Sequence, residues 1–269
     1  MIKDYYVIDA HCHIYPEKIA LKAAQGTSAF YDNIPMAGNG TTADLKTQAA
    51  AAGVDHCIVQ SVATTPKQVK SINEFIAAEV ASGDGFFTGL GTLHPESADQ
   101  KGDVQHLIEL GLRGVKLHPD IQRFKIDDHR CLKIYELCEE AGLPILMHTG
   151  DKRYDFSNPN RLIPVLKIYT ELTVIGAHFG GWSIWDEASR QLCDIPNLYV
   201  DCSSSLPWLD PQTAVEIIHR YGTDRVLFGT DYPMWSPKAE LEAFLALGLD
   251  ENENRSILSI NAKKLFGME

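Results

Sequence analysis

The sequence predicts an α/β protein built as a closed (β/α)₈ barrel of the TIM-barrel type, with an extended first βα loop and a C-terminal helix. Eight short apolar runs, rich in β-branched or aromatic residues, alternate with segments of helical periodicity. The carboxyl ends of most successive runs lie about 30 residues apart, which is the length of one βα unit. Strands that are apolar on both faces are typical of a parallel sheet covered by helices. The runs are 5–14, 56–61, 86–93, 114–118, 144–149, 173–178, 198–203 and 226–231.

An open, doubly wound sheet is the alternative architecture. That fold usually carries a glycine-rich turn after its first strand, but Asp9-Ala10-His11-Cys12-His13 occupies this position. The length of 269 residues fits one barrel domain spanning residues 1–269. The sequence therefore favours the closed barrel.

Helix boundaries follow from capping residues and prolines. Asp210-Pro211 and Ser236-Pro237 each place a capping side chain before a proline at the first helical position. A last helix is expected over residues 251–266, after the eighth unit. The first βα connection is longer than the others, and its excess, residues 15–40, is rich in Gly, Ala, Asn and Pro. We expect this segment to be a loop that lies over the barrel mouth as a partial lid.

Charge and composition exclude several classes of protein. The formal net charge is −12, which disfavours binding to nucleic acid or to an anionic membrane. Apolar stretches are too short to span a membrane, and residues 1–5 lack the apolar region of a signal peptide. The six cysteines form no C-x-x-C pair, as expected of reduced thiols. We therefore expect a cytoplasmic protein that acts on a small-molecule substrate, and a homodimer is compatible with the sequence.

Polar residues end several of the predicted strands. Side chains two apart on a strand point the same way, so His11 and His13 can both face the barrel axis. The carboxyl ends of all strands meet at one mouth, where barrel enzymes hold their catalytic groups. Several imidazoles and a carboxylate in such a place would lack partners without a cation. Three nitrogens and one oxygen suit Zn²⁺, with Fe²⁺, Mn²⁺ or Co²⁺ as alternatives. The strand-end residues are His11, His13, Lys116, His118, His148, His178 and Asp231.

Four motifs in order give the sequence a family resemblance. They are the first-strand Asp9–His13 segment, Met147-His148-Thr149-Gly150, Ala177-His178-Phe179-Gly180-Gly181 and Gly229-Thr230-Asp231-Tyr232-Pro233. Together they resemble the amidohydrolase superfamily, and within it the amidohydrolase-related branch. That branch contains aminocarboxymuconate-semialdehyde decarboxylase, other non-oxidative decarboxylases, lactonases, a hydratase and many hydrolases. The resemblance covers nearly the whole chain.

The resemblance implies a role for each motif residue. His11, His13, His148 and Asp231 would be the ligands of one divalent metal. His178 would be the catalytic base that is not itself a primary ligand. Asp231 would also accept the proton of a metal-activated water.

Other residues near the mouth are candidates for substrate binding. His118 and Lys116 lie on the fourth strand, Arg153 follows the fifth, and Trp182 follows the sixth. Lys116 could bind a substrate carboxylate, form a buried salt bridge, or bridge two metals as the carboxylated lysine of two-metal relatives does. Asp9 is a candidate partner for a ligand histidine. Lys152 is an alternative to Arg153 for binding a substrate carboxylate, and His94, Trp208 and Trp235 could line the mouth.

Two reactions fit the same ligand set. The first is hydrolysis of an amide, ester or lactone bond of a small molecule by a metal-activated water. The alternative is non-oxidative decarboxylation of a small unsaturated or aromatic acid. A decarboxylase should place a cation and aromatic walls beside the metal. A binding module without activity would be expected to lack part of the ligand set, and a metal-free lactonase-like variant is a further alternative.

Overall fold

The computed structural model describes residues 5–269, so the prediction for the N-terminal residues 1–4 lies outside the described residues. Its strands pair in parallel throughout. Each of the eight apolar runs contains at least one strand. The strands are β1 (Ile8–His13), β2 (His56–Gln60), β3 (Phe87–Gly89), β4 (Gly91–Thr92), β5 (Val115–Leu117), β6 (Ile145–Met147), β7 (Val174–Gly176), β8 (Leu198–Asp201) and β9 (Val226–Leu227).

Hydrogen bonds close these strands into a ring. β1–β3 and β4–β9 form two consecutive ladders, and only Leu90 separates β3 from β4, so these two strands act as one. The ring closes between the last and first strands, where the Ala10 amide donates to the Phe228 carbonyl at 2.9 Å and the Asp231 amide to the His11 carbonyl at 2.8 Å. The predicted closed barrel is confirmed, and the open sheet is excluded.

The helices cover the outside of the ring and its two ends. They are α1 (Glu17–Phe30), α2 (Thr42–Ala52), α3 (Val69–Ser82), α4 (Gln100–Glu109), α5 (Pro119–Gln122), α6 (His129–Glu140), α7 (Leu162–Ile168), α8 (Trp185–Leu192), α9 (Pro211–Tyr221), α10 (Pro237–Leu245), α11 (Glu251–Arg255) and α12 (Asn261–Phe266). Asp210 caps α9 as predicted, accepting from the Thr213 amide at 3.0 Å. Ser236 precedes α10 at the predicted N-cap position, but its side chain makes no capping bond.

Two apolar layers hold the barrel together. The larger layer lies between the strands and the surrounding helices, and the smaller fills the barrel interior. The interior layer includes Ile8, Ile58 and Leu146 from the strands, and Ala262 and Phe266 from α12 pack against them. The C-terminal helix, joined to α11 by a π-helical turn over residues 256–260, therefore plugs one end of the barrel. This leaves the opposite mouth for polar residues.

The segment after β1 differs from its prediction. Residues 15–40 were expected to form a loop, but most of this stretch is the helix α1, whose Ala20 and Ala24 are buried four residues apart. Alanine favours helix strongly enough to outweigh the single glycine at position 26. The predicted position is correct, because α1 lies at the barrel mouth and lines its cavity. The lid is thus a regular helix.

The structure also gives the pairing state of the cysteines and the length and apolar character of the helices. All six cysteines are unpaired, and five of them are buried. Within residues 5–269, no helix has the length and apolar character needed to cross a bilayer.

Candidate metal centre and active site

Three of the predicted ligands converge at the open mouth of the barrel. The Nε2 atoms of His11 and His13 lie 3.2 Å apart. Oδ1 of Asp231 lies 3.3 Å from Nε2 of His11 and 3.5 Å from Nε2 of His13. One ligand atom from each residue falls within 4.8 Å of the others, which is a spacing that a single cation can bridge.

A bulge in β1 sets the direction of His11. Asp9 pairs with Cys57 while Cys12 pairs with Val59, so one extra residue lies between the two pairs. Bulges of this kind redirect side chains next to active sites. Ala10 packs in the interior layer, and after the bulge His11 also faces the interior, two residues before His13.

The same bulge overturns the predicted role of Asp9. Its carboxylate accepts from the backbone amides of His11 at 3.1 Å and Thr230 at 2.9 Å, and from the Thr230 hydroxyl at 2.5 Å. Asp9 therefore holds the backbone of β1 against the turn after β9. It does not contact an imidazole, because the extra residue breaks the two-residue alternation used to place it beside the His11 ring.

Asp201, at the end of β8, takes the role predicted for Asp9. Its Oδ2 lies 2.9 Å from Nδ1 of His11, and both residues are fully buried. Burial alone would disfavour the charge of Asp201, but His11, His178 and Ser203 outweigh it and lower the pKa of this carboxyl. The ionised Asp201 keeps a proton on Nδ1 of His11, so the Nε2 lone pair faces His13 and Asp231. An aspartate inside an otherwise apolar strand was the available sequence signal.

Asp231 is held in place by its own neighbours. Ser204 donates to its Oδ2 at 2.7 Å, and the Trp235 indole donates to the Ser204 hydroxyl at 2.8 Å. The backbone φ of Asp231 is +61°, a conformation that few residues other than glycine adopt. Such conformations occur at functional sites, where the surrounding structure enforces them.

His178 adjoins the cluster from the end of β7. Its Nδ1 donates to the Ser203 carbonyl at 2.9 Å, which leaves Nε2 as an acceptor. Its ring stacks on His11 with centroids 5.3 Å apart. Burial lowers the pKa of His178 to about 4, against the opposing effect of the Asp231 and Asp201 charges. The imidazole is therefore neutral near pH 7 and can accept a proton at Nε2.

His148 lies beside the three-residue cluster, and it forms a separate group with His118 and Asp120. Its Nδ1 is 3.1 Å from Nε2 of His178, and its Nε2 is 3.5 Å from Oδ2 of Asp120. The rings of His148 and His118 stack at 4.0 Å. Nε2 of His148 is buried and has no hydrogen-bond partner among the described residues. The assignment of His148 as the fourth ligand stays a prediction.

Lys116 supplies a buried positive charge next to the cluster. Its Nζ lies 3.1 Å from Nε2 of His11, and only 1% of the residue is exposed. Burial lowers the pKa of Lys116 to about 8, while Asp231 and Asp201 act in the opposite direction. The ammonium is thus still the main form near pH 7, and it points into the cavity.

An open cavity of about 530 Å³ extends outward from these groups. His118 lines it, as predicted. Its Nδ1 accepts from the Ile121 amide, so Nε2 carries the proton and donates to the Tyr31 hydroxyl at 3.0 Å. Burial, followed by nearby carboxylates, raises the pKa of Tyr31 well above its usual value, so the phenol stays protonated. Sequence reasoning missed Tyr31, because it lies at the end of α1 and far from any strand end.

Arg153 and Trp182 were predicted to contact substrate, but neither lines the cavity. The guanidinium of Arg153 pairs with Asp151 at 2.8 Å and donates to the Phe30 carbonyl at 2.9 Å. Trp182 packs edge-on against Tyr31 at 5.3 Å. Both residues therefore hold the C-terminal end of α1 against the loop after β6. The Asp151 carboxylate forms an ion pair with the Arg153 guanidinium, which was expected to bind a substrate carboxylate.

The remaining mouth candidates also lie outside the cavity lining. His94 is buried and accepts from the Glu96 amide at 3.2 Å. Trp208 is 53% exposed and packs edge-on against Trp235 at 6.3 Å. Lys152 donates its amide to the Ser183 hydroxyl. None of these residues is among those that line the cavity, although Trp235 supports Asp231 through Ser204.

The donor set fits a divalent transition metal. Two imidazole nitrogens and a carboxylate oxygen face one point, and Asp201 fixes the tautomer that leaves a lone pair on His11. Imidazole and carboxylate ligands suit Zn²⁺, Mn²⁺ and Fe²⁺ alike. The residues therefore form a possible metal site without selecting the element.

A parallel barrel with a histidine–aspartate cluster at the carboxyl ends of its strands defines the class of metal-dependent barrel enzymes. Residues 8–268 match the family described as Amidohydrolase, so the chain belongs to this family. The resemblance drawn from the strand-end motifs is thereby confirmed, and the protein is an enzyme of the amidohydrolase superfamily.

Three individual proteins illustrate the similarity. A 2-amino-3-carboxymuconate-6-semialdehyde decarboxylase of Dictyostelium discoideum is 23% identical over 244 residues, or 74% of this chain, which spans 66% of the length of that relative. An uncharacterised TIM-barrel protein of Bordetella bronchiseptica shares 24% identity with a TM-score of 0.81, over 97% of this chain and 98% of its own. A dihydroxybenzoic acid decarboxylase of Polaromonas, solved with bound manganese and 2-nitroresorcinol, shares 17% identity with a TM-score of 0.76, over 98% of this chain and 97% of its own.

Proposed function

We propose that this protein is a metal-dependent, non-oxidative decarboxylase of a small unsaturated or aromatic acid. The observation that carries the proposal is Lys116, a buried cation 3.1 Å from Nε2 of His11 at the base of a largely apolar cavity. A cation beside the metal site is the feature expected of a decarboxylase, since it can bind the carboxylate that is lost. The decarboxylase names among the similar proteins support this reaction better than hydrolysis.

The cavity walls fit a flat, apolar substrate. Tyr15, Phe30, Tyr31 and Phe75 all line the cavity around the cluster. Aromatic rings stack on planar substrates at little entropic cost. These walls also exclude water, which strengthens the interaction between Lys116 and a substrate carboxylate.

Each residue has a definable part in the reaction. A divalent metal held by His11, His13 and Asp231, with His148 as the proposed fourth ligand, would supply Lewis-acid polarisation of the substrate. Lys116 binds the carboxylate. As the bond between the ring or alkene carbon and the carboxylate breaks, carbon dioxide leaves and the carbon takes up a proton. His178 is suited to relay that proton, because Ser203 holds its Nδ1 proton and Nε2 can take a proton from water in the open cavity and pass it to the carbon.

Measurement of carbon dioxide release tests this proposal. The metal-loaded protein would be assayed against hydroxybenzoates and unsaturated dicarboxylates, and in parallel against lactones, esters and amides. We expect carbon dioxide release from at least one acid. Hydrolysis of a lactone, ester or amide without decarboxylation of any acid would instead support the hydrolase alternative.

A substitution isolates the role of the cation. Lys116→Met should lower kcat/KM for the acid about 10- to 100-fold, the expected effect of losing one charge-assisted contact. Lys167→Met, at an exposed position of α7, is the matched control and should leave kcat/KM unchanged. Equal activity of Lys116→Met and wild type would remove the lysine from the mechanism.

A further inference from the structure

The cavity continues beyond the reacting groups into a groove between two helices. The groove-facing residues of α1 are spaced along one helical face, at positions i, i+4 and i+7, and those of α3 face them across the opening. Thr27 of α1 and Ser71 of α3 also line the cavity and add two hydroxyl groups. The small or apolar residues of the two helices we call the tail groove, and its members are Ile19, Ala23, Gly26, Ile72 and Phe75.

Gly26 leaves a gap in the wall of the tail groove. A Cβ atom built at this position would meet no other atom within 4 Å. A glycine in the middle of a helix costs roughly 0.5–1 kcal/mol relative to alanine. Gly26 is exposed at the cavity opening and shares the helical face of Ile19 and Ala23, so a larger side chain there would extend over the groove without clashing with the protein.

The groove carries no charge of its own. Apart from the histidines, the charged residues that line the cavity are Lys116 and Asp231, and both lie at its base. A second carboxylate placed in the tail groove would find no cation. The apolar residues of the groove are nevertheless partly open to water, since Ile19 is 50% exposed. Covering them with an apolar ligand would be favourable.

We infer that the substrate is a monocarboxylate whose uncharged apolar tail extends from the metal site into the tail groove. This inference rests on the proposed function for the position of the carboxylate at Lys116, and it adds the substrate class. Gly26 is then a specificity-determining residue, because its missing side chain makes room for the tail. A second copy of this chain is a less suitable occupant, since the groove is continuous with the cavity that holds the reacting groups.

Direct binding measurements test the inference without requiring turnover. Isothermal titration of the metal-loaded protein would use benzoate and its 4-methyl, 4-propyl and 4-pentyl derivatives. Each methylene that becomes buried should tighten binding by up to about fourfold. Because the groove is partly open, we expect the pentyl compound to bind at least about tenfold more tightly than the methyl compound.

Three variants locate the tail. Gly26→Leu should abolish the gain along the alkyl series and leave benzoate affinity within about threefold of wild type. Gln25→Leu adds the same side chain at the neighbouring exposed position, which does not line the cavity, and should keep the full gain. Gly26→Ala tests whether stiffening of α1 alone has an effect, and we expect none. Phe75→Ala removes a groove side chain on α3. It should reduce the increase in affinity along the alkyl series, and it tests the groove even if Gly26→Leu folds poorly.

The outcomes separate this inference from the proposed function. The inference fails if the wild type binds all the alkylbenzoates with equal affinity, or if affinity still rises with chain length in both Gly26→Leu and Phe75→Ala. Either result would exclude tail binding in the groove even if carbon dioxide release is found. A rising series that Gly26→Leu abolishes would support it even if no acid is decarboxylated. If light scattering shows that Gly26→Leu changes the oligomeric state while the alkyl series is unaffected, the groove is an interface between copies and the inference fails.

Discussion

Replacing Asp201 with asparagine should weaken metal binding by changing the tautomer of His11. In the wild type, Oδ1 of Asp201 accepts from the amides of His178 and Ser203 and from the Ser203 hydroxyl, while Oδ2 faces Nδ1 of His11 at 2.9 Å. An asparagine that keeps the three bonds at Oδ1 must turn its NH₂ group toward His11. Nδ1 of His11 then becomes the acceptor, and the ring proton moves to Nε2, where it faces His13 and Asp231.

The expected loss follows from the bond that is broken. A buried hydrogen bond to a charged group contributes about 1.5–3 kcal/mol, and about 1.4 kcal/mol corresponds to a tenfold change in affinity. Metal affinity should therefore fall about 10- to 100-fold, which is also the range typical of residues that orient a ligand histidine. Catalytic activity at limiting metal should fall in proportion and should recover partly at high metal concentration.

Competition with a chromophoric chelator measures the metal dissociation constant directly. Asp9→Asn is the matched control, because Asp9 is an equally buried carboxylate whose partners are the backbone of His11 and Thr230, the Thr230 hydroxyl and the Cys12 thiol, with no imidazole among them. That hydroxyl can rotate to accept from the new amide, so metal affinity should change less than threefold. If Asp201→Asn binds metal as tightly as the wild type, control of the His11 tautomer by Asp201 is refuted.

Three further predictions concern catalysis, stability and the lid helix. His178→Asn should lower kcat by roughly 10²–10⁴-fold while chelator competition finds unchanged metal affinity; unchanged kcat would remove its proton-carrying role. Burial and the charges of Asp9 and Asp231 raise the pKa of Glu240 from 4.5 to about 8. Between these two pH values the folded protein keeps a proton that the unfolded chain loses, so the free energy of unfolding falls as the pH rises from about 4.5 to about 8. Glu240→Gln should therefore raise Tm by roughly 5–10 °C near pH 9 and hardly at all near pH 5, and a pH-independent difference in Tm would contradict the assigned cause. Arg153→Ala should speed hydrogen exchange in α1 and raise KM more than it lowers kcat, because the Arg153 bond to the Phe30 carbonyl is lost; unchanged exchange would show that α1 does not depend on this contact.

Much of the active-site composition was predictable because strand ends are fixed by short-range pattern. Apolar runs spaced about 30 residues apart identify the strands, and in a parallel barrel their carboxyl ends must meet. His11, His13, His178 and Asp231 could therefore be placed at one mouth from the sequence pattern alone. The family resemblance followed from the same residues, and the match over residues 8–268 confirms it.

Residues that act through distant partners were not predictable in this way. Asp201 contacts His11 across 190 positions of sequence, and nothing in the pattern around either residue indicates the pair. Arg153 resembled a free cation in sequence, but its guanidinium donates to the Phe30 carbonyl at the end of α1, 123 positions away, and pairs with the neighbouring Asp151 carboxylate. Ionic pairing of this kind depends on loop geometry, which short-range periodicity does not encode.

The barrel, the mouth at which the polar residues meet and the ligand types offered to a cation can all be inferred from the amino-acid order, because hydrophobic periodicity and strand ends are local properties of the chain. The nitrogen of His11 that faces the cluster, the direction of His148 and the helical wall formed by α1 are visible only in the folded molecule. These features depend on a bulge, on contacts between distant segments and on the space left between packed helices, and such properties exist only once the chain has folded.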